Sequence, residues 1–257
     1  TRSSSSIPEA TVVLTLVLLV VLLALVFEYI NGFHDTANSI ATVVATKVLN
    51  PTQAVALAAT MNLIGALAGT AVAKTISSGL IDSEVVDVTS QLIICALSGG
   101  IIWNLITWWF GLPSSSSHAL IGGLCGAALA ASDNSFDALI WSRVAEDWTK
   151  NQGILWKVVI PMISSPVAGF TLGLVMMGAL MAVISAMNGA GGWLARISRP
   201  RWVNAFFGKA QILSAGYMGF AHGTNDAQKT MGIIALALIG AEASGTLDSL
   251  PAGLGFL

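Results

Sequence analysis

Charged residues are scarce in this chain. Asp, Glu, Lys and Arg make up 9% of its 257 residues, whereas hydrophobic residues make up 55%. Soluble domains carry about 25% charged residues. We therefore predict an all-α polytopic membrane protein, in which apolar side chains face lipid as well as the protein interior. The formal net charge of -2 gives no electrostatic basis for binding nucleic acid, and we exclude that function.

Cysteine is also rare. Cys95 and Cys125 are the two cysteines, and they lie inside apolar stretches. Their positions fit neither a disulfide framework nor a CxxC metal site. We interpret both as small buried hydrophobic residues, and nothing in the sequence indicates a bound cofactor.

Long apolar runs predict the membrane-spanning segments, because about 20 apolar residues at about 1.5 Å each cross the hydrocarbon core. The predicted spans are roughly 11–30, 52–73, 91–110, 154–187 and 207–240. Two shorter apolar pieces, 39–49 and 118–131, each follow a polar cluster, which is typical of interrupted or re-entrant helices. The segment 190–206 contains three arginines and no acid, so the positive-inside rule predicts that it is cytoplasmic.

Two polar stretches resemble each other and indicate an internal repeat: NGFHDTANSI, which begins at Asn31, and HGTNDAQKTM, which begins at His222. Acidic groups within a membrane helix cost about 2.5 to 3.5 kcal/mol unless they find partners or water. Because glycine beside each acid lets the backbone leave helical geometry, we expect two broken helices whose acids line one polar cavity. The alignment pairs Gly32 with Gly223, His34 with Asn225, Asp35 with Asp226, and Asn38 with Lys229.

A third polar stretch, GLPSSSSHAL, places Ser114 to Ser117 after a proline at a predicted helix N-terminus. Such a terminus binds anions through free N–H groups and its partial positive charge. The stretch therefore predicts an oxyanion site, although a serine N-cap explains it too. His34, His118 and His222 all fall within the three polar stretches. Each is interpreted either as a proton carrier or as an interior hydrogen-bonding group.

In this order, GFHDTAN, FGLPSSSSHALIGG and HGTNDAQK resemble the signatures of the inorganic phosphate transporter family, the PiT permeases, from about Glu28 to Gly240. The resemblance implies an inverted-repeat transporter with broken helices and re-entrant helical hairpins. It implies import of inorganic phosphate across the cell membrane by cation symport. We accordingly expect a first repeat at 11–189 with a hairpin at about 91–131, a cytoplasmic loop at 190–206, and the start of a second repeat at 207–257. The family's second hairpin does not appear before Leu257, so we expect a C-terminally truncated second repeat.

The resemblance also implies site residues. His34 occupies the position that is asparagine in the sodium-coupled branch, and it resembles the bacterial branch thought to couple to protons and to move metal-phosphate complexes. Proton coupling is therefore favoured and sodium is the alternative. Lys229 occupies a position that is often asparagine in the second signature of the family. Its positive charge could either bind phosphate or neutralise Asp226. The residues implied for phosphate are Asn38, Ser115, Ser116, Ser117, Asp226 and Lys229, and those implied for the coupling cation are His34, Asp35, Asn225 and Asp226.

Two rival functions use the same residue types. An intramembrane hydrolase would take a nucleophile from Ser114 to Ser117, with His118 or His34 as base and Asp35 as its orienting acid. A divalent metal carrier would use the three histidines and two aspartates as ligands. A hydrolase would leave the duplicated acid unexplained, and the serine-rich helix start favours an anion over a metal alone. The sequence leaves open whether the protein forms a homo-oligomer.

Overall fold

The computed structural model describes residues 6–35, 37–68, 80–82, 84–145, 147 and 151–243. The described residues contain two isolated β-bridges and no strand, which confirms the predicted all-α class. Its α-helices are α1 (Ser6–Asp35), α2 (Ala37–Ala45), α3 (Pro51–Leu67), α4 (Ser90–Trp109), α5 (Ser116–Ala131), α6 (Ile160–Gly189), α7 (Gly192–Ile197) and α8 (Pro200–Ala243). A 3₁₀ turn covers Phe136–Ala138, and a π turn at Leu155–Val159 leads into α6.

Polar residues at the helix starts explain where α3, α4 and α5 begin. Asn50 caps α3 in a capping box with Gln53. Thr89 caps α4, and Ser115 caps α5. Between α4 and α5, Gly111 adopts a φ of 64°, which favours a residue without a Cβ. The polar stretch after α4 thus closes a helical hairpin at the predicted place.

Within the described part of the chain, three helical stretches are long and apolar enough to cross a membrane: Thr11–Ala45, Ser90–Trp109 and Leu155–Gly189. They include the predicted spans 11–30, 91–110 and 154–187 almost completely. The predicted span 52–73 corresponds to α3, and its last residues lie outside the described part of the chain. No side chain of α6 is buried, so this helix presents apolar residues on all sides.

One apolar core holds α1, α4, α5 and α8 together. Phe27 of α1 packs near Gly100 of α4, where an added Cβ would lie 3.2 Å from the Phe27 ring. A smaller cluster joins α2, α3 and α8. The core residues from the four main helices include Val20, Ala24, Phe27, Ile93, Ala96, Leu97, Leu120, Leu124, Ile233 and Ala237. Cys95 is exposed on α4, so the prediction that both cysteines are buried is wrong for that residue.

The second polar stretch does not break its helix, contrary to expectation. α8 is continuous from Pro200 to Ala243. Gly223 instead allows α8 to pack closely against α3, where an added Cβ would lie 2.7 Å from Cα of Asn62. At the first stretch, α1 ends at Asp35 and α2 begins at Ala37, and the residue between them lies outside the described chain. The expected loop at 190–206 contains the short helix α7 and the first turns of α8.

Candidate functional site

Three helix segments bring the polar stretches together. The end of α1 supplies Asn31, His34 and Asp35, the start of α5 supplies Ser116 and Ser117, and the middle of α8 supplies His222, Asp226 and Lys229. Because α1 and α8 both pack against the hairpin core, residues almost 200 positions apart in sequence form one cluster.

Ser116 joins the hairpin to α1. Its side chain is 2% exposed, and its Oγ donates to Oδ1 of Asn31 at 2.7 Å. The same hydroxyl contacts Oδ2 of Asp35 at hydrogen-bonding range. One hydroxyl has one hydrogen, so the second close approach requires another. In the alternative orientation of the Asn31 amide, the amide donates to Ser116 and Ser116 donates to Asp35.

His34 lies beside Asp35 and is nearly buried, with 7% of its side chain exposed. Its Nδ1 is 3.0 Å from Oδ1 of Asp35, and its Nε2 is 3.4 Å from Oγ1 of Thr107 on α4. Thr107 is itself buried and donates to backbone carbonyls of its own helix. The imidazole is thus held between a carboxylate and a hydroxyl.

Asp226 has two basic neighbours on α8. Nε2 of His222 lies 2.9 Å from its Oδ2, and Nζ of Lys229 contacts its Oδ1. Nδ1 of His222 faces Oδ1 of Asn62 at 2.8 Å, and the Asn62 amide donates to the Ala58 carbonyl at 2.8 Å. Since that donation fixes Oδ1 as an acceptor, Nδ1 of His222 is the donor in this contact. Asn62 therefore orients the imidazole toward Asp226.

Lys229 connects the second motif to the hairpin. Its Nζ contacts Oγ of Ser117 as well as the Asp226 carboxylate. Ser117 lies in the first turn of α5, where backbone N–H groups point away from the helix and the helix dipole favours negative charge. An anion at this helix start would meet both the ammonium group and the hydroxyl.

The two motifs meet at their acids. One ligand atom each from Asp35, His222 and Asp226 can be chosen so that all lie within 4.8 Å of one another. Two carboxylates at such a distance repel each other unless cations or protons compensate them. Lys229 provides such compensation to Asp226 in this structure.

The cluster contains six of the residues predicted from the sequence: His34, Asp35, Ser116, Ser117, Asp226 and Lys229. Three others lie apart from it. Ser115 is exposed and accepts from the backbone N–H of His118 as the α5 N-cap. Asn38 is exposed, and the exposed Asn225 donates to the Ala221 carbonyl at 2.8 Å.

Sequence reasoning missed Asn31, Asn62 and Thr107, which contact Ser116, His222 and His34 respectively. Asn62 and Thr107 are polar residues inside predicted spans, and that position is the signal that would have found them. For the hydrolase alternative, no imidazole bonds a hydroxyl of Ser114 to Ser117 among the described residues. His118 is exposed.

Comparison with known proteins supports the resemblance of the three motifs. The sequence profile of the phosphate transporter family matches residues 31–252. A probable low-affinity inorganic phosphate transporter of Bacillus subtilis (strain 168) is 42% identical over 245 residues, which are 95% of this chain and 66% of the relative. A protein of the same name from Mycobacterium tuberculosis (strain ATCC 25618 / H37Rv) is 45% identical over 88% of this chain and 48% of its own.

Another probable low-affinity inorganic phosphate transporter, from Streptomyces halstedii, is 45% identical over 82% of this chain and 87% of its own. A solved structure titled "The sodium-dependent phosphate transporter" has a TM-score of 0.71 and 22% identity over 93% of this chain and 70% of that one. At that identity the likeness concerns the fold. The chain spans about half to two thirds of the length of the first relatives named here.

Proposed function

Because this chain belongs to the phosphate transporter family, we propose that it imports inorganic phosphate across the cell membrane in symport with a cation. The family's members compared above are named as transporters, in agreement with the prediction that the chain is not an enzyme. One observation carries the proposal: Lys229 contacts both Ser117 at the α5 N-terminus and Asp226. The same ammonium group serves the anion position and the acidic cluster.

Phosphate binds at the start of α5 in this proposal. The backbone N–H groups of the first turn, the hydroxyl of Ser117 and Nζ of Lys229 are the groups that receive it, while Ser116 holds the helix start against α1. Ser115 contributes through its cap, which fixes the first turn. The substrate is either free phosphate or a metal-phosphate complex.

Coupling to a cation follows from the shared lysine. When phosphate attracts Lys229, Asp226 loses part of its compensation beside Asp35 and His222. Two unit charges about 4 Å apart interact by about 4 kcal/mol at an effective dielectric constant of 20. A cation that enters the cluster restores the balance, so each ligand increases the affinity for the other. Such mutual dependence is the thermodynamic requirement for symport.

The coupling cation we favour is a proton, held by His34 and Asp35. Support comes from the buried contact between His34 and Asp35. Sodium prefers several oxygen ligands, and the exposed Asn38 and Asn225 do not contribute to the cluster here. Two inverted repeats, 11–189 and the region from 207 onward, remain our proposal for the organisation, and the pairing of α1 with α8 supports it.

Labelled-phosphate uptake into proteoliposomes tests the function. Vesicles containing the chain receive an inward proton gradient or an inward sodium gradient, each imposed separately at zero membrane potential. We expect accumulation under the proton gradient, with potassium replacing sodium at no loss. Empty vesicles and the Asp226→Asn variant are the controls. Accumulation under a sodium gradient alone contradicts the proton assignment, and none under either gradient contradicts transport by this chain.

A divalent metal carrier is the second candidate, because Asp35, His222 and Asp226 bring ligand atoms together. Imidazole and carboxylate ligands suit zinc or manganese. The contact between Lys229 and Asp226 weighs against this candidate, because the ammonium group lies against the carboxylate oxygen that would otherwise bind the metal. Metal uptake that proceeds equally well without phosphate would favour the metal carrier.

A further inference from the structure

A cavity of about 600 Å³ lies between α1, α2, α3 and α8. Its wall is apolar except for three side chains: Glu28 of α1, Asn62 of α3 and His222 of α8. Among the described residues of the wall, Glu28 has the only acidic side chain, and no lysine or arginine is present. Glu28 is therefore the only described side chain of the wall that can carry a negative charge.

Glu28 takes no part in the site described above. Its carboxylate is half-buried, and Oε2 accepts from Oγ1 of Thr230 on α8 at 2.6 Å. No basic side chain among the described residues forms an ion pair with it. A carboxylate on a membrane helix with only a neutral partner is costly and points to a role in moving ions. The hydroxyl of Thr230 fixes its position without neutralising its charge.

His222 connects the cavity with the acidic cluster. It lies on the cavity wall and also contacts Asp226 at 2.9 Å. The other titratable side chains near this route are His34 and Asp35 of α1 and Asp226 and Lys229 of α8, while α2 and α3 contribute none to the wall. A cation that enters the cavity thus meets Glu28 and His222 before it reaches Asp35 and Asp226.

We propose that Glu28 is a cation-binding station in this cavity, through which the coupling cation reaches the acidic cluster. The inference rests on the proposed symport function and adds a residue and a route to it. The ligand is a cation small enough to bind one carboxylate in an apolar cavity, either a proton or an alkali ion.

Two substitutions separate charge from structure at this position. Glu28→Gln removes the charge but keeps an acceptor for Thr230, whereas Thr230→Val removes the hydrogen bond and keeps the charge. We expect Glu28→Gln to raise the cation concentration for half-maximal phosphate uptake about tenfold or more. Phosphate binding at saturating cation concentration should change little, and Thr230→Val should have a smaller effect on the cation requirement. Equal effects of both variants, or an unchanged cation requirement in Glu28→Gln, would overturn the proposal.

Carbodiimide labelling tests the station without relying on transport. An apolar carbodiimide, dicyclohexylcarbodiimide, is added to the purified chain, and modification of Glu28 is measured by mass spectrometry with Glu84, in an exposed turn, as the internal control. Protection of Glu28, but not of Glu84, by sodium identifies an alkali ion. Labelling of Glu28 that persists to a higher pH than labelling of Glu84, without a sodium effect, identifies a proton. Labelling of Glu28 that sodium does not change and that follows the same pH dependence as Glu84 refutes the proposal, even where phosphate uptake itself is normal.

Discussion

Gly223→Ala should loosen the contact between α3 and α8. An added Cβ would lie 2.7 Å from both Cα and the carbonyl carbon of Asn62, and closer still to its carbonyl oxygen. Ordinary carbon contacts are about 3.5 Å or longer, so the two helices must separate by about 1 Å. The contact between His222 and Asn62, 2.8 Å in the wild type, would then exceed hydrogen-bonding distance.

The expected cost can be estimated from two opposing effects. Overpacking costs about 1 to 3 kcal/mol, and replacing glycine by alanine within a helix returns about 1 kcal/mol. We therefore expect Gly223→Ala to lower the free energy of unfolding by as much as about 2 kcal/mol. Gly32→Ala, at the aligned position of the first motif, meets no atom within 4 Å and should leave it unchanged or raise it by about 1 kcal/mol.

Unfolding of the two variants in mixed micelles, followed by tryptophan fluorescence, measures this difference. Both substitutions add one methyl group to a helical glycine, so helix propensity cancels in the comparison. If Gly223→Ala is as stable as Gly32→Ala, the close approach of α3 and α8 is wrong, and with it the positioning of His222 by Asn62.

Three further predictions concern the site. Ser117→Ala should weaken phosphate binding by about 1.5 to 3 kcal/mol, the cost of losing a hydrogen bond to a charged group. Ser115→Ala should mainly lower the free energy of unfolding, by about 1 kcal/mol, because the helix cap is lost. Calorimetric titration measures the phosphate affinity of each variant, and equal affinities would contradict this prediction. Asn104→Leu should raise the free energy of unfolding by about 1 to 3 kcal/mol, because the fully buried amide has no hydrogen-bond partner among the described residues. Thermal unfolding measures this change, and a loss of stability would show that the amide is paired. Asp226→Asn should abolish accumulation of labelled phosphate while equilibrium phosphate binding is kept or strengthened, since Lys229 is released; normal accumulation would exclude Asp226 from coupling.

The sequence predicts which polar residues lie close together better than it predicts whether the helices that hold them are broken or continuous. The duplicated acids and the serine stretch do lie close together, because polar residues in apolar helices are stable only in contact with polar partners or water. The course of α8 through Gly223 was not predictable in the same way. A glycine beside an acid permits both an unwound turn and a close helix contact, and only the position of Asn62 decides between them.

Neighbouring serines illustrate the second limit. Ser115, Ser116 and Ser117 are equivalent in composition, yet the direction of each side chain depends on where α5 begins. Since α5 begins at Ser116, Ser115 is the cap, Ser116 faces α1, and Ser117 faces α8. A shift of one residue in that start would exchange these roles, and helix boundaries read from sequence are rarely that accurate.

We propose that phosphate and the coupling cation both act on the contact between Lys229 and Asp226. Equilibrium binding of labelled phosphate to the purified chain tests this directly. The affinity is measured across a range of cation concentrations, in separate proton and sodium series. We predict that the phosphate affinity of the wild-type chain rises with the concentration of the coupling cation, and that this dependence disappears in Asp226→Asn. A phosphate affinity that is independent of both cations in the wild type would contradict it.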